Sequence, residues 1–124
     1  MTFTYSYDMD ENGALFYLGT YGKKRNYMNP QSINLAVAFA SSVRTGNIQS
    51  FIGREPTNLS TCNERMSFMG VDLGKDRMLR PSAYSIRNRN ATTYCVLNWK
   101  IEGSVDGTHF IPFDERIHYD ANDE

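Results

Sequence analysis

Residues 94–113 read YCVLNWKIEGSVDGTHFIPF, and this stretch decides the fold class. Two apolar runs flank the dipeptide Asp106-Gly107, whose glycine accepts a positive φ angle and favours the turn of a β-hairpin. The stretch therefore predicts two antiparallel strands, at residues 94–103 and 108–113, joined by a two-residue turn.

Strand signals recur along the rest of the chain. Apolar and polar residues alternate with the period of two that is typical of half-buried strands, or form short apolar runs that end at glycine, at residues 3–7, 14–18, 33–40, 68–73, 84–86 and 117–119. No window of helical length keeps an apolar face, and the polar residues 41–67 indicate long loops with one turn of helix. The chain is therefore predicted to be all-β.

Length and composition indicate one globular domain. The chain has 124 residues, of which 40% are hydrophobic and 22% charged, values close to those of folded domains. Its apolar runs are too short for a membrane span, and its first ten residues do not resemble a secretory signal. We therefore expect a cytoplasmic or nuclear protein in which Cys62 and Cys95 are reduced thiols.

Charge is distributed unevenly. Residues 1–22 carry three acids and no base, residues 23–100 carry twelve bases and four acids, and residues 101–124 carry seven acids and one base. A basic middle segment is compatible with an anion-binding face, or with arginines that only solvate a sheet. The net charge of −1 argues against nucleic acid as a partner.

No motif predicts catalysis, a metal or a cofactor. His109 and His118 lack the spacing of a zinc site. Residues 8–13 (DMDENG) resemble the start of a calcium loop, but the downstream glutamate is missing, so a solvated turn is the alternative. The glycines and bases of residues 19–25 lack the pattern of a phosphate loop. The sequence thus predicts a non-enzymatic chain without a cofactor.

Eight ordered blocks carry a resemblance to a known family. They are DENGALFYLGT (10–20), NP (29–30), ASS (40–42), FIGR (51–54), VDLG (71–74), RPSAYSIR (80–87), NWKIEGS (98–104) and DG (106–107). The chain resembles the discoidin-type, galactose-binding-like domain related to the C-type domains of coagulation factors. It is most similar to the intracellular subgroup of HECT-type ubiquitin ligases and BTB-containing proteins.

The resemblance implies a jelly-roll β-sandwich of about eight antiparallel strands. One domain would span residues 1–124, with a core at about residues 7–113 and an acidic tail at 114–124. Trp99 would be a central packing residue, and Gly74 would supply a turn. Phe68 and Phe110 stand where the family usually has tryptophan, and are expected to keep an aromatic ring in the core.

Protein recognition by loops at one end of the sandwich is the function we expect first, in a larger ubiquitin ligase or scaffold protein. Arg54, Arg87 and Arg89 are candidates to pair with a carboxylate of the partner, and Lys24 is a further basic candidate. The competing interpretation of Arg54 and Arg87 is that they tie loops to backbone carbonyls.

Carbohydrate binding is the alternative function. Tyr27 and Asn29 are the candidate residues, and Tyr21, Tyr94 and Asn26 are further members of a stacking platform with polar neighbours. Half-buried packing against a sheet is the competing interpretation of these tyrosines.

Overall fold

The structure is a computed structural model that describes residues 1–88 and 96–117. Its regular elements are α1 (Ala14–Gly19), β1 (Val37–Ala40), β2 (Met69–Asp72), β3 (Trp99–Gly103) and β4 (Ile111–Arg116), with 3₁₀ helices at Pro30–Ile33 and Ile48–Ile52. The chain divides into two compact units, Met1–Asn90 and Ala91–Glu124. The described residues therefore form antiparallel β-structure with three short helices.

The apolar run at residues 14–18 is a helix, and its prediction as a strand is wrong. Continuous short apolar runs do not distinguish a buried strand from a helix, and alanine and leucine are strong helix formers. Gly13 is the N-cap of α1, and the helix ends at Gly19. Gly19 is buried and has no Cβ, which lets the Tyr27 ring and the Met28 carbonyl lie against it.

The first unit has its core between β1 and the second 3₁₀ helix. Ala36, Ala38 and Ile52 are buried together, since the small alanine side chains let the helix approach the strand closely. β1 pairs antiparallel with β2, with Ala38 opposite Val71. On the other face of β1, the Phe39 ring lies over Gly70 of β2.

The strand predicted at residues 33–40 begins only at Val37, because residues 30–33 form the first 3₁₀ helix. Asn29 caps this helix by accepting a hydrogen bond from the Gln31 backbone N–H. The Gln31 side chain then turns to β1, where its Oε1 accepts a hydrogen bond of 2.8 Å from the Ala38 N–H. That N–H points away from β2, so Gln31 satisfies a donor on the open edge of β1.

The second unit holds the predicted hairpin, β3–β4, with Gly103 opposite Ile111 and a register irregularity after Ile101. The predicted two-residue turn is wrong: residues 104–110 connect the strands. The Asp106 carboxylate organises this loop by accepting hydrogen bonds of 2.8 Å from the backbone N–H groups of Thr108 and His109. Gly107 has the expected positive φ, at +77°.

Several strand predictions fail. Residues 3–7 and 84–86 have no regular structure, and Ile117 lies beyond the end of β4. The described residues hold four strands in two small sheets, so the prediction of about eight strands exceeds what these residues form. β4 continues to Arg116, beyond residue 113. Residues 94–95, 118 and 119 lie outside the described part.

The two expected core phenylalanines are not in a core. Phe68 is 54% exposed and Phe110 is 48% exposed. Phe68 makes an edge contact with the Phe39 ring, at 6.3 Å between centroids. Trp99 is half-buried in β3. Gly74 does have the expected turn conformation, with φ of +87°.

Candidate functional site

An open surface groove of about 440 Å³ lies in the first unit, between the segment after α1 and the exit of the second 3₁₀ helix. We call it the Tyr27 groove and define it by the lining residues that matter below: Tyr27, Asn29, Asn47, Gly53, Arg54 and Thr57. It brings together three of the predicted binding residues: Arg54 from the protein-recognition hypothesis, and Tyr27 and Asn29 from the carbohydrate-binding alternative.

A stack of planar side chains supports the groove. The Phe16 ring of α1 is parallel to the Tyr27 ring, with centroids 5.4 Å apart and planes 3° apart. The Arg54 guanidinium also lies against Phe16, 5.0 Å from the ring centroid, in a cation–π contact. Phe16 thus fixes the orientation of two groove residues.

Tyr27 is half-buried, and its hydroxyl donates a long hydrogen bond of 3.4 Å to the Ile52 carbonyl. Removal from water raises the pKa of Tyr27, since burial penalises the phenolate, while the positive charge of Arg54 opposes the shift. The phenol therefore remains a neutral hydrogen-bond donor at physiological pH.

Asn29 joins the two 3₁₀ helices that border the groove. Its Oδ1 accepts a hydrogen bond of 2.9 Å from the Gln31 N–H, and its Nδ2 donates one of 2.9 Å to the Gln49 carbonyl. Asn47 caps the second helix in the same way, through a hydrogen bond of 3.0 Å from the Gln49 N–H. Both asparagines are therefore held in place by backbone partners.

Arg54 connects three segments of the first unit. Its Nη2 donates a hydrogen bond of 2.6 Å to the Met9 carbonyl, and Met9 has a left-handed φ of +61°. The Met9 N–H in turn donates to Ser85 Oγ at 3.4 Å. Arg87 Nη1 donates a hydrogen bond of 3.2 Å to the Arg54 carbonyl. These contacts are of the kind that the loop-tying interpretation of Arg54 and Arg87 describes.

The other candidates lie apart from the groove lining. Lys24 is exposed in the turn after α1, where its backbone N–H donates to the Thr20 carbonyl at 2.9 Å. Asn26 is exposed, and Tyr21 is exposed with the Arg25 guanidinium 5.0 Å from its ring centroid. Arg89 and Tyr94 lie outside the described residues.

In the acidic loop at residues 8–13, the carboxylates of Asp8 and Asp10 accept hydrogen bonds. Asp10 accepts from the backbone N–H groups of Ser6 at 2.7 Å and Asn12 at 3.0 Å, and the Ser6 hydrogen bond is the main reason that its pKa is lowered. Asp8 accepts a hydrogen bond of 2.7 Å from the Tyr5 hydroxyl. Across residues 1–88 and 96–117, no three potential metal ligands cluster.

Of the two histidines, His109 lies among the described residues. His109 Nδ1 lies 2.8 Å from Asp106 Oδ2 in the β3–β4 loop, where both side chains are exposed. His118 lies outside the described residues. Within those residues, no helix is long and apolar enough to cross a membrane.

Sequence reasoning missed the supporting residues of the groove. Phe16 belongs to the apolar run that the sequence predicted as a strand, so its role was not recognised. The Met9 carbonyl could not be predicted, because every residue has a backbone carbonyl. The caps were detectable, because Asn29 precedes a proline at the start of a helix and Asn47 precedes a short apolar segment.

Comparisons with known proteins place similar segments in large proteins. The chain is 31% identical over 112 residues to E3 ubiquitin-protein ligase Ufd4 of Drosophila melanogaster, which covers 86% of this chain and 4% of that protein. It is 30% identical over 105 residues to E3 ubiquitin-protein ligase hecd-1 of Caenorhabditis elegans, covering 80% of this chain and 4% of the relative. A BTB/POZ domain-containing protein of Arabidopsis thaliana is 28% identical over 125 residues, which cover 94% of this chain and 15% of that protein.

The chain therefore spans a small fraction of each of these curated relatives. No family model matches it, and no solved structure matches it. The similarity agrees with the ubiquitin-ligase and BTB context expected from the sequence. The discoidin type itself stays a prediction.

Proposed function

We propose that this chain is a non-enzymatic protein-interaction module that recruits a partner to a larger ubiquitin ligase or scaffold protein. The observation that carries the proposal is the pattern of similarity: 80% or more of this chain matches only 4% of two E3 ubiquitin-protein ligases. A segment of that size in a long ligase is suited to recognition. A cytoplasmic or nuclear location belongs to the same proposal.

The proposal includes a discoidin-type, jelly-roll β-sandwich as the fold. Antiparallel pairing in both small sheets supports it. Exposed apolar side chains on both sheets, such as Val37 and Phe39 on β1 and Phe113 on β4, are of the kind that a sandwich buries. Solution of the structure by crystallography or NMR tests this part of the proposal, and a fold without two stacked sheets contradicts it.

Recognition is assigned to the Tyr27 groove and to the arginines around it. The convergence of Tyr27, Asn29 and Arg54 on one groove supports this assignment, as does the hydrogen bond from Arg87 to the Arg54 carbonyl. Arginine and tyrosine are also the residues most enriched among energetically dominant interface contacts.

Affinity capture with the immobilised 124-residue chain tests the function. Arg54→Ala and Arg87→Ala are compared with Arg65→Ala, which removes an exposed arginine outside the groove lining, after circular dichroism confirms that all three fold. We expect the first two variants to lose a captured protein that Arg65→Ala retains. Capture that neither substitution affects contradicts the site.

Carbohydrate binding remains the second candidate, because Tyr27 and Asn29 share the groove and aromatic rings with amide neighbours suit sugar rings. A glycan array probed with the parent chain and with Tyr27→Ala distinguishes the two functions. Binding that requires Tyr27 favours the carbohydrate reading, and a flat array contradicts it.

A further inference from the structure

We infer that the Tyr27 groove binds an extended peptide segment through one carboxylate, which pairs with the Arg54 guanidinium. This inference rests on the proposed function and specifies its ligand chemistry. Its basis is the hydrogen-bonding capacity of Arg54, the stack that holds it, and the size of the groove together with the polar side chains in its lining.

Arg54 retains hydrogen-bonding capacity. A guanidinium carries five N–H donors, and among the described residues its side chain makes the one hydrogen bond to the Met9 carbonyl. Its charge has no carboxylate partner within salt-bridge distance in those residues. A carboxylate accepts two parallel N–H hydrogen bonds from such a group and is its natural partner.

The contact with Phe16 prepares Arg54 for this role. The guanidinium lies 5.0 Å from the ring centroid and donates a hydrogen bond of 2.6 Å to the Met9 carbonyl, so its position is held at two points. Less side-chain entropy is then lost when a ligand binds, which improves affinity.

The groove suits a peptide. Its volume of about 440 Å³ is that of a small-ligand site. Its mostly apolar lining also holds polar side chains with remaining hydrogen-bonding capacity, at Tyr27, Asn29, Asn47 and Thr57. The alternating N–H and C=O groups of a peptide backbone can hydrogen-bond to these polar side chains. Neutral sugars match them as well, but they leave the charge of Arg54 unused.

Glu55 restricts the ligand further. It lines the groove next to Arg54 and is exposed. Its negative charge weakens the attraction of Arg54 for one carboxylate, and a second acid on the ligand would meet a like charge with no further arginine among the described lining residues to offset it. The ligand is therefore a peptide with a single carboxylate at this point, from an acidic side chain or from a chain terminus.

Three immobilised heptapeptide libraries, whose variable positions exclude Asp and Glu, test the inference with the 124-residue chain. The first has a fixed central Glu and an amidated end, the second a central Gln and an amidated end, and the third a central Gln and a free terminal carboxylate. We expect retention of peptides from the first or third library, which identifies the source of the carboxylate. Equal retention by the second library overturns the inference.

Retained peptides are then titrated into the ¹⁵N-labelled chain. Resonances of Gly53 and of the Asn29 side chain are expected to shift, and shifts confined to other residues overturn the inference. Arg54→Gln should weaken binding roughly tenfold to a hundredfold. Gly53→Ala should also weaken it, because its new Cβ lies 3.1 Å from Asn29 Nδ2 and occupies groove space.

A matched variant separates binding from loop tying. Ser85→Ala removes the oxygen that accepts the Met9 N–H but leaves the guanidinium intact, so peptide affinity should remain within about twofold of the parent. A loss equal to that of Arg54→Gln overturns the direct pairing. If no library is retained while partner capture still depends on Arg54, the inference fails and the proposed function stands. If capture occurs but is independent of both Arg54 and Arg87, the inference and the assigned site fail, and if no protein is captured, the proposed function fails as well.

Discussion

Replacement of Gly19 by alanine tests whether the structure places the Tyr27 ring correctly. Gly19 is the last residue of α1, and helix propensity alone predicts that alanine stabilises a helix by about 1 kcal/mol relative to glycine. Packing predicts the opposite sign. An added Cβ would lie 2.5 Å from Tyr27 Cε2 and 2.6 Å from Cδ2, and would also meet the Met28 carbonyl.

The magnitude follows from these distances. Carbon atoms in contact are normally about 3.5–4.0 Å apart, so the Tyr27 ring and the backbone at Met28 must each move by about 1 Å. Overpacking of this kind costs about 1–3 kcal/mol. After the gain in helix propensity of about 1 kcal/mol, we expect a net loss of up to about 2 kcal/mol in the free energy of unfolding.

Urea denaturation followed by circular dichroism measures the change. Gly13→Ala is the matched control, because Gly13 lies at the other end of α1 and its added Cβ would have nothing within 4 Å. We expect Gly13→Ala to change the free energy of unfolding by less than about 1 kcal/mol, because an N-cap prefers glycine to alanine while alanine lowers the entropy of the unfolded chain. NMR should also show that Gly19→Ala alters the ring environment of Phe16. A Gly19→Ala chain that is more stable than the parent refutes the packing argument.

Three further outcomes are expected. Gly107→Ala should destabilise the β3–β4 hairpin by about 1 kcal/mol, because alanine is strained at a φ of +77°. The added Cβ would have no atom within 4 Å, so backbone strain is the sole cause of the loss. Weaker cross-strand nuclear Overhauser effects would show the destabilisation. The pKa of Asp106 is held below its usual value, chiefly by the His109 backbone N–H. The Asp106 carboxylate therefore stabilises the loop fully above about pH 4, and this stabilisation is lost as pH falls further. The amide chemical shifts of Thr108 and His109 should follow this titration in the parent and not in Asp106→Asn. Asn29→Asp keeps the cap of the first 3₁₀ helix but loses the hydrogen bond to the Gln49 carbonyl, so the free energy of unfolding should fall by about 1 kcal/mol. Asn29→Ala loses both contacts, so it should fall by about 2 kcal/mol. Urea denaturation midpoints measure both changes.

The sequence predicted antiparallel pairing and several turns because these follow from local chemistry. Asp106-Gly107 requires a reversal whatever its surroundings, and the alternation around Ala38 distinguishes one face of β1 from the other. The apolar run that became α1 carries no such local restriction. The helix packs through a tertiary contact, with the Tyr27 ring against Gly19, and such contacts are not visible in the sequence.

The candidate site was predictable in part. Tyr27, Asn29 and Arg54 were singled out by residue type, and the structure places them on one groove. Their support was not predictable, since the Met9 carbonyl lies 45 positions from Arg54 and any residue supplies a carbonyl. Arg87 was singled out as well, but its contact with the Arg54 backbone required the fold.

The hydrogen bond from Ala38 N–H to Gln31 Oε1 has a consequence for behaviour in concentrated solution. Exposed strand borders with unsatisfied amides recruit strands of other molecules and start aggregates. An amide side chain that substitutes for the missing neighbour occupies such a border without adding a strand. Gln31 is therefore expected to disfavour pairing of β1 with a strand of another molecule. Replacement of Gln31 by a residue without the amide should first be noticed as poor solubility during storage.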